Sequence, residues 1–150
     1  MFRVLTASAV FLATVPAMPA VANNNEKKRD ENVQFTMHPI GWVRKTEEKT
    51  TIELKKKFQP GLLRAEKLTE IWVLYWFDRN DTPEKRSILQ VHPRGNPDNP
   101  LTGVFATHAP VRPNLIAMSR CKVLSIKENV IEIDGIDAFP DTPVLDIKSS

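Results

Sequence analysis

The sequence predicts a mainly β domain, either a small barrel or a sandwich. Short segments with apolar residues at every second position recur along the chain, and turn-forming residues separate them. Few stretches have helical periodicity. At 150 residues with 41% hydrophobic residues, the chain has enough apolar side chains for a single core. We therefore expect one domain built from short strands.

The first half of the domain combines strands with one short helix. We expect strands at 35–43 and 51–54, where apolar and polar residues alternate. Residues 59–61, Gln-Pro-Gly, break the chain, and a short helix at 62–68 is expected to turn its apolar side chains inward. Those side chains are Leu62, Leu63, Ala65 and Leu68. Residues 71–77 are apolar throughout, which predicts a strand buried on both faces, in a covered barrel wall or against a second copy.

The second half of the domain contains mostly strand signals. Residues 81–84, Asp-Thr-Pro-Glu, predict a helix cap and first turn. Residues 127–129, Lys-Glu-Asn, are short enough to join two strands as a hairpin. The strands expected in this half are 87–91, 103–107, 116–126, 130–134 and 144–147.

The N-terminal segment has the features of a secretory signal peptide. Arg3 supplies the positive charge, 4–15 are uncharged and mostly apolar, and the Ala-Val-Ala at 20–22 fits a small-x-small cleavage site. Residues 1–22 are therefore expected to direct export, to the periplasm or the extracellular space. The alternative is a start near Met37, which would leave the protein in the cytoplasm.

The segment at 23–35 is expected to be a disordered tether, and the folded domain to span 36–150. The run Asn-Asn-Asn-Glu-Lys-Lys-Arg-Asp-Glu-Asn has no apolar residue. Without Arg3 the chain keeps 20 Lys and Arg against 18 Asp and Glu, a net charge of +2. This charge is too small to indicate nucleic-acid binding by itself. Lys55-Lys56-Lys57 is most simply interpreted as a solvent-exposed face, and RNA contact is the more specific alternative.

Several classes of catalytic site lack support in the sequence. His38, His92 and His108 lie in different segments without metal-ligand spacing, so we expect no metal site. Cys121, the single cysteine, lies inside a strand pattern and is expected to be a buried structural thiol. No glycine-rich phosphate loop or nucleophile elbow occurs. The residue types alone therefore name no catalytic residue.

Two proline-stiffened loops are the candidates for ligand binding. In 107–115, Pro110 and Pro113 restrict the backbone around Arg112 and Asn114. A rigid loop with a guanidinium and an amide is suited to a small, polar, partly anionic ligand. The alternative is a surface turn whose Arg pairs with a nearby carboxylate. Residues 137–145 form a second loop of the same kind, and the two could share one pocket rim.

Several motifs of the chain, including parts of both loops, resemble the TsaA-like domain family, the domain of the TrmO tRNA methyltransferases. The resemblance lies in GVFATHAPVRPNLIAM at 103–118, HPIG at 38–41, WVLYWFDR at 72–79 and DTPVLDIK at 141–148, with HPRG at 92–95 as a shorter match. These motifs span most of the chain in the order typical of the family. The resemblance implies a small closed β-barrel with one or two short helices, and a homodimer.

The resemblance also implies a cofactor and a reaction. It implies binding of S-adenosyl-L-methionine (SAM) and methyl transfer to N6 of an adenosine in tRNA. The positions that match the family's cofactor-binding residues are Arg94, Phe105, Ala106, Thr107, Arg112, Asn114, Asp141, Pro143, Leu145 and Asp146. For Arg112, the methionine carboxylate and a nucleic-acid phosphate remain alternative partners. For Arg94, a surface position in a glycine-permitted turn is the alternative.

The chain also departs from the family pattern. His108 stands where the family usually has Arg, and the Pro-Arg-Gln element of the tRNA enzymes is not visible between Gly41 and Phe58. Together with the expected signal peptide, these departures motivate the second functional hypothesis, an exported, non-catalytic barrel that binds a small nucleoside-like or amino-acid-like ligand.

Overall fold

The computed structural model describes residues 33–150. The signal peptide expected at 1–22 and most of the tether expected at 23–35 lie outside the described residues. Residues 36–150 form one compact unit. In the described part of the chain, no helix has both the length and the hydropathy needed to cross a membrane.

The compact unit is a closed antiparallel β-barrel. Six strands close it in the order β1-β2-β7-β6-β3-β8, and β4 and β5 pair in a separate small sheet. The strands are β1 Gly41–Lys45, β2 Thr50–Leu54, β3 Glu70–Trp76, β4 Gln90–Val91, β5 Thr102–Gly103, β6 Ile116–Lys127, β7 Val130–Ile133 and β8 Pro143–Ser149. The expected mainly β fold is confirmed, and the barrel rather than the sandwich is the architecture present.

The core fills the inside of the barrel with aliphatic side chains from all six of its strands. Alternation along β3 is complete, because Ile71, Val73 and Tyr75 are buried and the residues between them are half-buried. The expectation that both faces of this strand are buried is wrong for the single chain. No layer formed by the described residues fully covers the outward side chains Trp72 and Leu74.

Closure of the barrel depends on Gly41. This glycine pairs with Leu54 of β2 on one side and with Val144 of β8 on the other. A Cβ at this position would lie 2.3 Å from the carbonyl oxygen of Glu53 and 2.8 Å from the Cα of Leu54. The close approach of the two backbones therefore requires a residue without a side chain.

Several predicted boundaries are confirmed. The strand expected at 116–126 is β6, and 127–129 forms the hairpin to β7 with Glu128 at a φ of 54°. The cap expected at 81–84 begins helix α1, Pro83–Arg86, where the hydroxyl of Thr82 accepts the backbone N–H of Lys85 at 3.3 Å.

Other predicted elements are shorter or different in kind. The strand expected at 35–43 begins only at Gly41, after Pro39, whose nitrogen has no hydrogen to donate to a ladder. The helix expected at 62–68 is replaced by two 3₁₀ helices, Lys56–Leu62 and Ala65–Lys67. Arg64 between them has a φ of 66°, which breaks the helix, and Leu63 is 83% exposed rather than inward.

The strands expected at 87–91 and 103–107 contract to the two-residue pairs of β4 and β5. After β5 the chain turns into a 3₁₀ helix, Val104–Ala106, that buries Val104 and exposes Phe105. This turn brings the following loop to the end of the barrel where β3 ends and β6 begins.

Candidate ligand-binding site

A cavity of about 900 Å³ opens at one end of the barrel. Its walls come from the ends of β1 and β3, the beginning of β6, and two loops at 104–115 and 135–142. The volume lies within the range of small-molecule and cofactor sites. The two proline-containing loops that the sequence singled out both contribute residues to this one cavity.

Arg112 holds the first loop together. Its guanidinium donates to the carbonyl oxygens of Thr107 at 3.3 Å, Val104 at 3.3 Å and Ala109 at 3.5 Å. These bonds fold residues 104–109 around a single half-buried side chain. These carbonyl oxygens are uncharged, so they do not neutralise the positive charge of Arg112 at the cavity wall. No carboxylate among residues 33–150 forms an ion pair with Arg112 either. The carboxylate pairing considered for this residue is therefore not present in this structure.

A second arginine fixes the same loop from outside. Arg86, in α1, donates from Nη1 to the carbonyl oxygen of Pro113 at 2.9 Å. Asp81 orients Arg86 by accepting from its Nε at 2.8 Å and accepts from the indole of Trp76 at 3.1 Å. The hydrogen bonds from Arg86 and Trp76 lower the pKa of Asp81 below its usual value, so its carboxylate remains charged.

The second loop is fixed by side chains from the barrel strands. Tyr75 of β3 donates its hydroxyl to the carbonyl oxygen of Asp137 at 2.8 Å. Lys45 of β1 donates to the carbonyl oxygen of Ile136 at 2.8 Å. The buried Thr142 follows, with its carbonyl oxygen accepting the N–H of Val43 at 3.0 Å. The loop is thereby tied to both walls of the cavity.

Exposed aromatic rings line the cavity on both loops. Phe105 is 80% exposed and Phe139 is 59% exposed, although rings of this size are usually buried. The guanidinium of Arg79 stacks on Phe139 at 4.0 Å from the ring centroid. Such rings offer faces on which a flat heterocycle can stack and a cation can rest.

The charged groups that line the cavity have both signs. They are Lys45, Asp78, Arg79, Arg112 and Asp137, and the imidazole of His108 lies among them. A site with both cations and carboxylates beside aromatic faces suits a zwitterionic ligand with a flat ring system.

The structure brings four of the ten expected site residues to the cavity and places six elsewhere. The four that line it are Phe105, Ala106, Thr107 and Arg112. The six that do not are Arg94, Asn114, Asp141, Pro143, Leu145 and Asp146.

The six remaining residues have other surroundings. Arg94 is exposed at a φ of 59° in the turn Pro93–Gly95, and Asn114 is an exposed loop residue. Asp141 has a φ of 66° and pairs with Arg44 on the exposed outer face of β1. Asp146 accepts the ammonium of Lys148 at 2.9 Å.

Pro143 and Leu145 belong to β8, the strand between β1 and β3, and both are half-buried. The residue between them, Val144, is the one that points into the core, and neither Pro143 nor Leu145 lines the cavity.

Sequence reasoning missed several residues that line the cavity. Lys45, Asp137 and Phe139 were not among the expected site residues. A signal existed for Lys45, because alternation along β1 puts it on the inward side with Val43, whose side chain is fully buried. Residue 137 lies in the expected loop, but its role depends on the distant Tyr75.

The single cysteine lies away from the cavity. Cys121 is 2% exposed, and burial raises the pKa of its thiol to about 11. A thiol with so high a pKa is not a nucleophile at neutral pH, which agrees with the structural role expected from the sequence.

Comparison with known proteins decides the family. Residues 34–149 match the sequence profile of the tRNA-methyltransferase O N-terminal domain. The chain belongs to this family. The TrmO N-terminal domain thus accounts for the barrel and for all of the motifs that suggested a TsaA-like domain.

Two archaeal relatives of this TrmO-family chain resemble it over most of their length. Both carry the name "Probable S-adenosyl-L-methionine-binding protein". The one from Methanocaldococcus jannaschii is 46% identical over 114 residues, which are 76% of this chain and 90% of the relative. The one from Pyrococcus horikoshii is 48% identical over 114 residues, 76% of this chain and 81% of the relative.

Larger TrmO-family proteins match over a smaller share of their length. The human tRNA (adenine(37)-N6)-methyltransferase is 37% identical over 88 residues, 59% of this chain and 19% of that enzyme. A crystal structure of TrmO from Pseudomonas aeruginosa superimposes with a TM-score of 0.60 at 28% identity. The match covers 80% of this chain and 56% of the crystallised one, so the chain spans little more than half of that protein.

Proposed function

We propose that this chain binds SAM in the cavity at the barrel end and transfers its methyl group to N6 of an adenosine in tRNA. The proposal is carried by one observation: two rigid loops meet at one cavity. Arg112 anchors the first loop and Tyr75 anchors the second, and the cavity walls contain aromatic rings and charged groups of both signs. The names of the archaeal and human relatives support the cofactor and the reaction.

The residues of the cavity fit the chemistry of SAM. Phe105 and Phe139 offer aromatic faces to the adenine ring and to the positively charged sulfonium. Asp78 and Asp137 offer carboxylates to the ammonium of the methionine part. When bound, SAM supplies an electrophilic methyl group that a nitrogen nucleophile can accept.

The contribution of the protein to such a reaction is mainly orientation. Methyl transfer between two bound reactants gains most from holding donor and acceptor in line and close together. Here the rigid loops do this work, because Arg112 and Arg86 fix the first loop and Tyr75 fixes the second. A ligand seated between them would meet walls that need little rearrangement.

We further propose that the chain acts as a homodimer through the outer face of β3 and β6. On this face Trp72, Leu74 and Trp76 are half-buried, and Met118 is 45% exposed. Together they make an apolar strip of the kind found at interaction surfaces. Met118 and Trp76 also line the cavity, so a second copy on this strip would help to enclose the ligand.

The expected export signal supports a second candidate, an extracytoplasmic barrel that binds a small nucleoside-like or amino-acid-like ligand without catalysis. The sequence of residues 1–22 is its support. N-terminal sequencing of the protein isolated from its host separates the two starts. A mature chain beginning near Asn23 favours export, and one beginning near Met37 contradicts it.

Calorimetric titration with SAM tests the proposed function. We expect micromolar binding by the full chain, a loss of at least about tenfold on Arg112→Ala, and unchanged binding on Lys49→Ala. Lys49 is the control because it is an exposed cation in the turn after β1, outside the cavity and away from the outer face of β3 and β6. Transfer of labelled methyl from SAM to adenosine in total tRNA then tests the reaction. Binding without transfer would favour the second candidate, and no heat at millimolar SAM would contradict SAM binding.

A further inference from the structure

Lys45 is a cation in the wall of the cavity, held by a single hydrogen bond. It is the last residue of β1 and follows the alternation that directs Val43 into the core, so its half-buried side chain lines the cavity. Its ammonium is held by a 2.8 Å hydrogen bond to the carbonyl oxygen of Ile136. A lysine ammonium has three N–H donors, and this bond uses one.

The charge of Lys45 is not neutralised by the protein. Within residues 33–150, no carboxylate oxygen lies within 4.0 Å of its Nζ, although Asp78 and Asp137 line the same cavity. A half-buried ammonium without a counter-ion favours an anion at its free donors, because a charge-assisted hydrogen bond is stronger than one to a neutral group.

The other cations of the cavity are engaged differently. Arg112 uses three of its five N–H donors on carbonyl oxygens of its own loop, the first loop. Arg79 is exposed and stacks on Phe139. Lys45 is thus the cation that is both anchored by the second loop and left with free donors.

We propose that Lys45 binds the carboxylate of the amino-acid part of the ligand, and this inference rests on the proposed function. The carboxylate and the ammonium of that part are carried by the same carbon atom. Lys45 bonds the carbonyl of Ile136, and the next residue is Asp137, whose carboxylate suits the ammonium. One stretch of the second loop can therefore serve both charges of the amino acid.

The test compares SAM with decarboxylated SAM, which keeps the adenosine, the sulfonium and the amine. Both ligands are titrated by calorimetry into the full chain and into Lys45→Met. We expect the substitution to weaken SAM binding by about tenfold to a hundredfold, the loss typical of a charge-assisted hydrogen bond, and decarboxylated SAM by less than about twofold. Lys45→Arg, which keeps the charge, should recover part of the loss.

Two further variants serve as comparisons. Lys49→Met removes an exposed cation from the turn after β1, outside the cavity, and should change neither affinity. Arg79→Met removes the competing cation of the cavity. If Arg79→Met rather than Lys45→Met shows the carboxylate-dependent loss, the assignment to Lys45 is overturned.

The remaining outcomes separate this inference from the proposed function. Equal weakening of both ligands by Lys45→Met would mean that Lys45 acts only through the Ile136 carbonyl, which overturns the inference while SAM binding stands. Unchanged SAM binding by Lys45→Met overturns it as well. If the unsubstituted chain binds neither ligand, both the proposed function and this inference are contradicted.

Discussion

The hydroxyl of Tyr75 joins the barrel wall to the cavity loop by donating to the carbonyl oxygen of Asp137 at 2.8 Å. The phenolic oxygen of Tyr75 also lies 3.1 Å from the hydroxyl oxygen of Ser119 on β6, the neighbouring strand. Burial raises the pKa of Tyr75 above its usual value, so the phenol keeps its proton and remains a donor. One side chain thereby sets the distance between two strands and the second loop.

Tyr75→Phe is expected to lower the free energy of unfolding by about 1 kcal/mol and to weaken SAM binding. The change leaves the carbonyl of Asp137 without its donor, and a hydrogen bond of this kind contributes roughly 1 kcal/mol. Urea denaturation and calorimetric titration measure the two effects. Ser119→Ala removes the contact to β6 and one polar group of the cavity wall but keeps the bond to Asp137, so it should lose less SAM affinity than Tyr75→Phe. Equal losses in both variants would contradict the role of the Asp137 contact.

Arg86→Ala is expected to loosen the first loop without unfolding the barrel. Its Nη1 bond to Pro113 is lost, while the three Arg112 bonds at the other end of the loop remain. Hydrogen exchange should accelerate severalfold in 110–115 and stay unchanged in β6. Arg120→Ala, on the outer face, is the control and should leave this loop unaffected. Uniform acceleration across the barrel would show that Arg86 stabilises the whole fold instead.

Gly41→Ala is expected to destabilise the barrel by about 3 kcal/mol, the upper end of what overpacking usually costs. The added Cβ would overlap backbone atoms of Glu53 and Leu54, which cannot move without separating β1 from β2. Thermal unfolding followed by circular dichroism measures the loss. Gly61→Ala is the matched control, because nothing lies within 4 Å of a Cβ there. A stable Gly41→Ala variant would mean that the two strands can separate at low cost.

Above pH 9, Cys121 is expected to make the protein less stable as the pH rises. Burial, with a smaller effect of the nearby Asp134 charge, raises the pKa of its thiol from 9.0 to about 11. Between these values the unfolded chain loses a proton that the native state keeps, so the free energy of unfolding falls with rising pH. The full stabilisation is present below pH 9, and two pKa units correspond to at most roughly 2.7 kcal/mol.

Comparison with Cys121→Ala isolates this effect from the titration of lysines and tyrosines. We expect the unfolding free energy of the variant, followed by urea denaturation between pH 9 and pH 11, to fall less steeply than that of the unsubstituted chain. Parallel slopes would show that the thiol has an ordinary pKa in the native state.

Local sequence patterns were sufficient for the long elements of the fold. Strand β6 and its hairpin to β7 are confirmed because approximate alternation of buried and exposed residues and a tight turn both act over neighbouring residues. The prediction of a helix at 62–68 was wrong because Arg64 adopts a positive φ, a conformation that is uncommon for arginine and that its residue type does not indicate. Short strands such as β4 and β5 depend on pairing partners elsewhere, so their lengths could not be read locally.

The site was predictable only where rigidity comes from the sequence itself. Prolines at 110 and 113 indicated a stiff loop, and that loop lines the cavity. The partners of Arg112 could not be predicted, because its guanidinium binds the backbone carbonyl oxygens of Val104 and Thr107. These lie close to it only after the loop has turned back on itself. Lys45 lies 91 residues from its Ile136 partner, and such a contact exists only once the barrel is formed.

The position of β8 between β1 and β3 has a consequence for synthesis of the protein. Residues of β8 pair with Gly41 on one side and with Ile71 on the other, so the wall stays open until β8 has emerged from the ribosome. Until then β1 and β3 both present unpaired backbone edges, which can pair with other chains. Closure joins segments roughly a hundred residues apart, and contacts of such separation form slowly. Nascent chains stalled before residue 143 are therefore the species most exposed to aggregation.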